Sequence, residues 1–329
     1  MNPPEYFNKI YNRECRIIDE KLSGLLAARE PSSLYGPASY ILDLSGKRLR
    51  PFLVLLAAKA AGAKYKEAYN AALAVEMLHS FTLVHDDIMD NADLRRGELT
   101  LHKKYDLSTA ILSGDVLLAI AYEYLLKDAK KNAKEVIAEF TRGLIEVCEG
   151  QGLDKEFETR KKVSLQEYLL MITKKTAVLV ETCCAIGALL AGADKKTVTG
   201  LRNFGLNIGI AFQIQDDLLD ITGNEKEFGK KIGGDLIEGK KTFLLLTALR
   251  NARGQNLASI KRVINERGIP ETEVLLYKQI FEDTGAIEEA KQTIKIFSDK
   301  ALKSLRAFPD SQDKEIFFWL SDLLIKRAY

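Results

Sequence analysis

Apolar side chains recur at helical spacing along most of this chain. Long segments with that spacing cover residues 51–61, 67–84, 109–126, 134–148, 164–190, 198–220 and 242–249, with Gly, Asn and Asp between them. No proline occurs between Pro51 and Pro270, and that run is rich in Ala, Leu, Lys and Glu, which favour helices. The pattern predicts an all-α protein, a single large helical bundle that spans residues 1–329.

Composition narrows the class of protein. With 329 residues, of which 47% are hydrophobic and 29% charged, the chain has an ordinary globular composition. A formal net charge of +2 without a long basic run argues against nucleic-acid binding. The most apolar stretch, residues 176–193, contains Glu181 and is short for a membrane span, so we expect no span.

The cysteines and the N-terminus indicate a cytoplasmic protein. Cys183 and Cys184 are adjacent, and together with Cys15 and Cys148 they match neither a zinc site nor a disulfide framework, so we expect reduced thiols. The first residues show no basic segment followed by an apolar one, and therefore no signal peptide is expected.

Two aspartate clusters of identical spacing interrupt the apolar pattern far apart in the chain. On a helix, the first and third aspartates of each cluster lie on one face, about 6 Å apart along the axis. Carboxylates this close repel one another unless cations bind between them, and ligand sets made only of oxygen suit Mg²⁺ shared with substrate phosphates. The sequence therefore predicts a Mg²⁺-dependent enzyme that acts on a diphosphate. The candidate metal ligands are Asp86, Asp87, Asp90, Asp216, Asp217 and Asp220.

Basic residues flank both clusters. Arginine can bind phosphate oxygens through two hydrogen bonds, and lysine adds a compact charge. The arrangement suggests two anion sites, one bridged by metal between the two clusters and one formed directly by Lys47, Arg50 and Arg96.

Six short elements follow one another in a fixed order: SGKRLRP, HDDIMDNADLRRG, EGQGLD, KKTA, FQIQDDLLD and GKKIGGDLIEGKKT. In this order they resemble the trans-isoprenyl diphosphate synthases, also called polyprenyl synthetases, over residues 40–245. The pattern is most similar to archaeal-type geranylgeranyl and farnesyl diphosphate synthases. The resemblance implies an isoprenoid-synthase bundle with a central cavity, a homodimer, and about three Mg²⁺ ions for which Mn²⁺ can substitute.

The resemblance also implies a reaction and a role for each matching residue. Isopentenyl diphosphate would attack an allylic cation formed when the allylic diphosphate loses its leaving group, and Mg²⁺ on Asp86, Asp90 and Asp216 would assist that departure. Thr176 and Gln213 would present oxygen dipoles to the cation. Isopentenyl diphosphate would bind to Lys47, Arg50, His79 and Arg96, and the allylic diphosphate to Arg95, Lys175, Lys230 and Lys240. The spacing leaves open whether Lys230 or Lys231 reaches the diphosphate.

Three residues depart from the family pattern. Ser45 replaces the first glycine of GGKR, Leu99 replaces a proline, and Asp106 replaces a frequent glycine. The departures concern the loop geometry of residues 97–106 and not the metal site.

Product length is expected to depend on Phe81. This residue lies five positions before Asp86, which on a helix places its ring about 7.5 Å deeper along the axis. Thr82 is small, and Leu78 lies about one turn further down. A lone aromatic at this position resembles the enzymes that make geranylgeranyl diphosphate, and farnesyl diphosphate is the alternative.

Other classes of helical protein fit the chain less well. A di-iron carboxylate bundle needs two Glu-x-x-His pairs, and only Glu76 and His79 form one. A terpene cyclase would lack the GKR element and carry a different second metal motif. A non-catalytic partner subunit would have lost one aspartate cluster, whereas both are intact here.

Overall fold

A computed structural model describes residues 3–130, 132–223, 232–306, 308 and 311–326. The chain divides into two compact units. Unit one consists of Met1–Leu144, Thr182–Arg202 and Ala307–Trp319, and unit two of Ile145–Glu181, Asn203–Arg306 and Leu320–Tyr329. Four of the five divisions fall inside helices, and the single domain expected from the sequence stays a prediction.

Helices make up most of the described structure and strands almost none of it, which confirms the all-α class. The first nine are α1 (Pro3–Leu22), α2 (Ser32–Asp43), α3 (Leu49–Ala60), α4 (Tyr69–Met89), α5 (Leu101–Lys104), α6 (Leu107–Asp128), α7 (Ala133–Thr159), α8 (Leu165–Ile172) and α9 (Val178–Leu190). They are followed by α10 (Lys195–Thr222), α11 (Gly234–Ile237), α12 (Phe243–Asn251), α13 (Gly254–Glu266), α14 (Val274–Asp283), α15 (Ala286–Ser304) and α16 (Gln312–Lys326).

The short elements show where the sequence pattern was incomplete. A π-helical turn, Thr173–Ala177, joins α8 to α9, and single 3-10 turns cover Tyr65–Glu67 and Glu271–Glu273. Two-residue strands, β1 (Leu94–Arg95) and β2 (Glu98–Leu99), pair antiparallel after the first aspartate cluster. Helices α1 and α2 precede the first periodic segment, and neither the strands nor the π turn were expected.

Two of the three departures from the family pattern have a local structural role. Asp106 is the N-cap of α6, where its carboxylate accepts from the backbone N–H of Thr109 at 3.0 Å. Leu99 pairs with Leu94 across the short hairpin. The loop of residues 97–106 is therefore ordered by a cap and by strand pairing.

Each unit has its own apolar core. In unit one, α3 and α4 contribute unbroken runs of buried side chains, and α6 packs along α4. In unit two, the buried core includes Phe157, Ile214, Phe243, Tyr277 and Phe281. Such cores fix the backbones of α4 and α10, the helices on which the two aspartate clusters lie.

One described helix, α6, is long and apolar enough to cross a membrane by length and composition alone. Core helices of soluble proteins meet the same criterion, and α6 packs on α4. The stretch of residues 176–193, which is the most apolar in the sequence, is divided between the π turn and α9.

Candidate active site

Both aspartate clusters lie at the C-terminal end of a helix. Asp86 and Asp87 are in the last turn of α4 and Asp90 is its C-cap, while Asp216, Asp217 and Asp220 are in the last two turns of α10. The C-terminal end of a helix carries partial negative charge, so each carboxylate there is disfavoured by ~0.3–1 kcal/mol. Two clusters at such ends are favourable only with nearby positive charge.

The middle aspartate of the first cluster turns into the protein. Asp87 is buried, and its Oδ1 accepts from Arg95 Nε at 2.9 Å and from Arg95 Nη2. Asp86 is half-buried and Asp90 exposed. The cluster therefore divides into a buried carboxylate neutralised by Arg95 and two carboxylates that solvent reaches.

The middle aspartate of the second cluster is buried in the same way. Asp217 accepts hydrogen bonds from Tyr168 Oη at 2.5 Å, from the backbone N–H of Phe243 at 2.9 Å and from Gln213 Nε2 at 3.2 Å. Gln213 Oε1 then accepts from Thr176 Oγ1 at 2.9 Å. The two residues expected to face the cation are thus joined in one chain of hydrogen bonds that ends on Asp217.

Close packing of α10 on the π turn makes this chain possible. A Cβ at Gly209 would lie 2.7 Å from Ala177 Cα, so only glycine allows this approach. Gln213 is one turn further along α10, opposite Thr176 in the π turn. A π turn inside an α-helix is rare and is often found at functional sites.

Lysines in unit two lie beside carboxylates. Lys175 donates to Asp154 at 2.5 Å, and Lys240 is paired with Glu238 at 2.7 Å and with Asp235 at 3.5 Å.

Burial, with Asp235 adding to it, raises the pKa of Asp220 to about 7. The same two causes raise the pKa of Asp217 to about 7. Lys230 and Lys231 lie outside the described residues.

Three of the four residues expected at the second anion site lie together in unit one. Arg50 Nη1 is 3.1 Å from His79 Nε2, and since a guanidinium only donates, Nε2 is the acceptor and His79 is neutral. The pKa of His79 is held well below its usual value, mainly by burial and further by the charges of Arg50 and Arg96. Arg96 Nη1 donates to the Ser45 carbonyl at 2.7 Å.

Lys47 belongs to the loop that contains Ser45, and a residue of α1 holds the Lys47 backbone in place. The hydroxyl of Tyr11 donates to the Lys47 carbonyl. A Cβ at Gly46 would lie 2.6 Å from Arg96 Nη1, so glycine at this position makes room for the guanidinium. The side chain of Lys47 is exposed.

The buried residue between Lys47 and Arg50 anchors this loop. Arg48 has a left-handed φ of 46° and is only 5% exposed. Its guanidinium donates to Asp19 on α1 at 2.7 Å, to Glu76 on α4 at 2.6 Å, and to the carbonyls of Leu42 and Leu44 at 2.9 and 3.0 Å. Arg48 thus faces inward, between Lys47 and Arg50 of the expected anion site.

A family model described as polyprenyl synthetase matches residues 31–283. The chain belongs to the polyprenyl synthetase family. The resemblance found in the six motifs is thereby confirmed, and so is the fold class that it implied.

Relatives of this polyprenyl synthetase match it over nearly its whole length. The geranylgeranyl pyrophosphate synthase of Geoglobus acetivorans is 40% identical, with 98% of this chain and 99% of the relative covered. The geranylfarnesyl diphosphate synthase of Natronomonas pharaonis is 39% identical, with 95% of both covered. The solved geranylgeranyl pyrophosphate synthetase of Pyrococcus horikoshii superposes with a TM-score of 0.91 at 33% identity, covering 98% and 99%.

The sequence predicts no role at this site for Glu76, Tyr168, Asp154 or Gln151 of this polyprenyl synthetase. Glu76, Tyr168 and Asp154 contact Arg48, Asp217 and Lys175, all distant in sequence. Gln151 of the GQ element is buried, and neither atom of its amide has a hydrogen-bond partner among the described residues. A buried amide without partners costs ~1–3 kcal/mol, so Gln151 is a candidate ligand-contact residue.

The donor chemistry of this polyprenyl synthetase fits a divalent cation such as Mg²⁺. Among the described residues no group of three or more His, Cys, Asp or Glu side chains lies around one metal position. Two features nevertheless favour cation binding. The clusters offer only oxygen at negative helix ends, and a cation beside Asp220 would offset both the burial and the nearby Asp235 charge that raise its pKa.

Proposed function

We propose that this prenyltransferase condenses isopentenyl diphosphate with an allylic diphosphate, head to tail and in the trans geometry, to make geranylgeranyl diphosphate. The observation that carries the proposal is the neutral His79 beside Arg50, with Arg96 hydrogen-bonded to the loop that carries Lys47. Positive charge next to a neutral imidazole favours a diphosphate anion. Family membership supplies the reaction class.

Each substrate has its own set of residues. Lys47, Arg50, His79 and Arg96 bind isopentenyl diphosphate, and Arg95, Lys175, Lys230 and Lys240 bind the allylic diphosphate. Asp86, Asp90, Asp216 and Asp220 are the proposed Mg²⁺ ligands, and Mn²⁺ substitutes. When bound, Mg²⁺ supplies a Lewis acid for the departing diphosphate. Asp87 and Asp217 are buried in contacts with protein donors, so we assign them to positioning instead.

The chain's residues guide three bond changes. The allylic carbon–oxygen bond breaks and its electron pair leaves with the diphosphate. The Thr176 hydroxyl donates its hydrogen bond to Gln213, so the lone pairs of Thr176 Oγ1 remain available to stabilise the allylic cation. The double bond of isopentenyl diphosphate then forms the new carbon–carbon bond, and a proton passes to the released diphosphate. No side chain acts as a nucleophile.

Phe81 supports a product of geranylgeranyl length. Its ring is half-buried on α4, whereas Leu78 below it is completely buried. Thr82 is half-buried, and its hydroxyl donates to the His79 carbonyl at 2.7 Å. An aromatic ring at the border of the packed core blocks a longer tail. The relatives named geranylgeranyl synthases agree, and the geranylfarnesyl relative makes a longer product the second candidate.

The other proposed properties concern location and assembly. All four cysteines lie in the described part of the chain, and none is in a disulfide, which supports a reducing compartment such as the cytoplasm. We also propose a homodimer, for which the exposed apolar face of α6 is the supporting feature.

The function is tested by incubating the enzyme with isopentenyl diphosphate and each of dimethylallyl, geranyl and farnesyl diphosphate, with and without Mg²⁺. We expect geranylgeranyl diphosphate from all three primers and none after chelation. Asp86→Ala and Asp216→Ala should each lower turnover by orders of magnitude, whereas Asp299→Ala, an exposed aspartate on α15, should not. Activity within about tenfold of the parent in both cluster variants would refute the assignment.

A further inference from the structure

Gly114, in the middle of α6, lies where a side chain would collide with a neighbouring residue. Glycine in a helix interior is less stable than alanine by ~1 kcal/mol, and Gly114 has no positive φ that would require it. A Cβ at this position would lie 2.8 Å from His85 Nδ1 and closer still to His85 Cε1. The missing side chain therefore makes room for the imidazole of His85, which reaches α6 from α4.

The same imidazole contacts Phe81. The two ring centroids are 4.5 Å apart, with the planes inclined at 54°. His85 Nδ1 is 3.1 Å from the Phe81 carbonyl oxygen, and because a carbonyl only accepts, the proton of this contact belongs to Nδ1. On the other side, Nε2 is 3.7 Å from Asp115 Oδ1. Phe81, the α6 backbone and Asp115 thus surround His85.

Phe81 cannot give way toward the core. Met77 and Leu78, one turn deeper on α4, are completely buried, so close packing leaves the Phe81 ring no space there. The imidazole occupies the space on the side of α6. The imidazole that contacts the Phe81 ring therefore lies in space that Gly114 leaves open.

We propose that His85, lying against Gly114, fixes the Phe81 ring, and that Gly114 and His85 are specificity-determining residues for product length. This inference rests on the proposed function, since only a prenyl diphosphate synthase has a product length to set. Two opposite effects follow. Without the imidazole, the Phe81 ring can turn aside and admit a longer product tail. A methyl group at residue 114 instead pushes the imidazole toward Phe81, which shortens the product.

The test compares His85→Ala, Gly114→Ala and the double variant with the parent. A matched control is Gly36→Ala on α2, where a Cβ would meet nothing within 4 Å. Each protein receives dimethylallyl diphosphate, isopentenyl diphosphate and Mg²⁺, and both the rate of the first condensation and the product lengths are measured. The first condensation reports on folding and chemistry, because its short product does not reach Phe81.

We expect the longest product of His85→Ala to gain at least one five-carbon unit, and Gly114→Ala to shift toward shorter products. The double variant should lie between them, because the new methyl group fills part of the space that the imidazole leaves. Gly36→Ala should match the parent.

Parental product lengths in Gly114→Ala would overturn the inference, and so would the same shift in Gly36→Ala. If His85→Ala does not fold, Gly114→Ala alone decides the outcome. A parent enzyme that forms no prenyl diphosphate from any primer would instead refute the proposed function, so the two failures are distinguishable.

Discussion

At the level of single residues, the two aspartate clusters share a structural feature in addition to their identical sequence spacing. In each cluster the middle carboxylate is buried and bound by protein donors, Arg95 for Asp87 and Tyr168 for Asp217. The donors hold each buried carboxylate in place, and burial keeps it away from a cation in solvent. This supports dividing each cluster into metal ligands and one positioning residue.

The role of Asp217 can be separated from that of its neighbour Asp216. Asp217→Asn removes the charge that receives the Tyr168, Gln213 and backbone donors, so we expect lower turnover and a loss of ~1–3 kcal/mol in the free energy of unfolding. The Mg²⁺ concentration for half-maximal activity should stay near the parental value. Mg²⁺ titrations of activity and denaturant unfolding measure both quantities.

Asp216→Asn is the comparison for this prediction. It should raise the Mg²⁺ requirement and change the free energy of unfolding little, because Asp216 is half-buried. If Asp217→Asn shifts the Mg²⁺ requirement as much as Asp216→Asn does, Asp217 is a metal ligand as the sequence pattern suggested.

Motif spacing identified the clusters of charged residues but not the residues that support them. Arg50 and Arg96 could be chosen from sequence because basic residues near acidic clusters suggest phosphate chemistry, and His79 was implied by the family resemblance. The structure brings these three together. Arg48 and Glu76 could not, because their role depends on a contact between segments 28 residues apart. Burial and pairing are set by the folded chain and leave no local pattern.

Among the helices, α4 combines the largest number of proposed roles. Its buried face carries Glu76 against Arg48, and His79 follows one turn later against Arg50. Phe81 and the first aspartate cluster come next along the same helix. One rigid helix would thus fix the spacing between the proposed anion site, the proposed floor of the tail pocket at Phe81 and the proposed metal ligands.

The anchoring of the Lys47 loop by α4 gives a prediction. Glu76→Gln removes the charge that faces the buried Arg48 guanidinium, and breaking such a pair costs ~3 kcal/mol. With the loop less well held, we expect the KM for isopentenyl diphosphate to rise about tenfold while the KM for the allylic substrate stays near its parental value. Steady-state kinetics with each substrate varied in turn provides the measurement.

Two further variants serve as comparisons for Glu76→Gln. Lys47→Ala should give the same one-sided loss, because it removes a proposed ligand of the same substrate. Asp19→Asn should have a smaller effect, because Asp19 is half-exposed and water can replace its charge. Equal rises in both KM values for Glu76→Gln would argue against two separate anion sites.

Local structure was predictable where one periodic pattern dominated. The periodic segments from residue 51 to 249 all coincide with helices, because apolar side chains on one face must be buried. The π turn of Thr173–Ala177 could not be read from the sequence, because its residues continue the helical pattern of α8 and α9 without a break. It depends instead on the packing of Gly209 against Ala177.

At the scale of the whole molecule, the proposed homodimer rests on the exposed apolar surface of α6. Its most apolar window has a mean hydropathy of 1.4, yet only 39% of that window is buried in the single chain. Leu107, Ile111, Leu112 and Leu126 are all exposed. An apolar surface of this kind on one helix is typical of a protein–protein interface, which supports the homodimer.

The dimer predicts a mass of two chains of 36.8 kDa each in light scattering at micromolar concentration. Replacing Leu112 and Leu126 together by Glu places charges on the exposed face of α6, and the desolvation of those charges on association should give a monomer. Leu275→Glu, on the exposed side of α14, is the matched control and should leave the dimer intact. A monomeric parent, or a variant of α6 that remains a dimer, would place the interface elsewhere or exclude it.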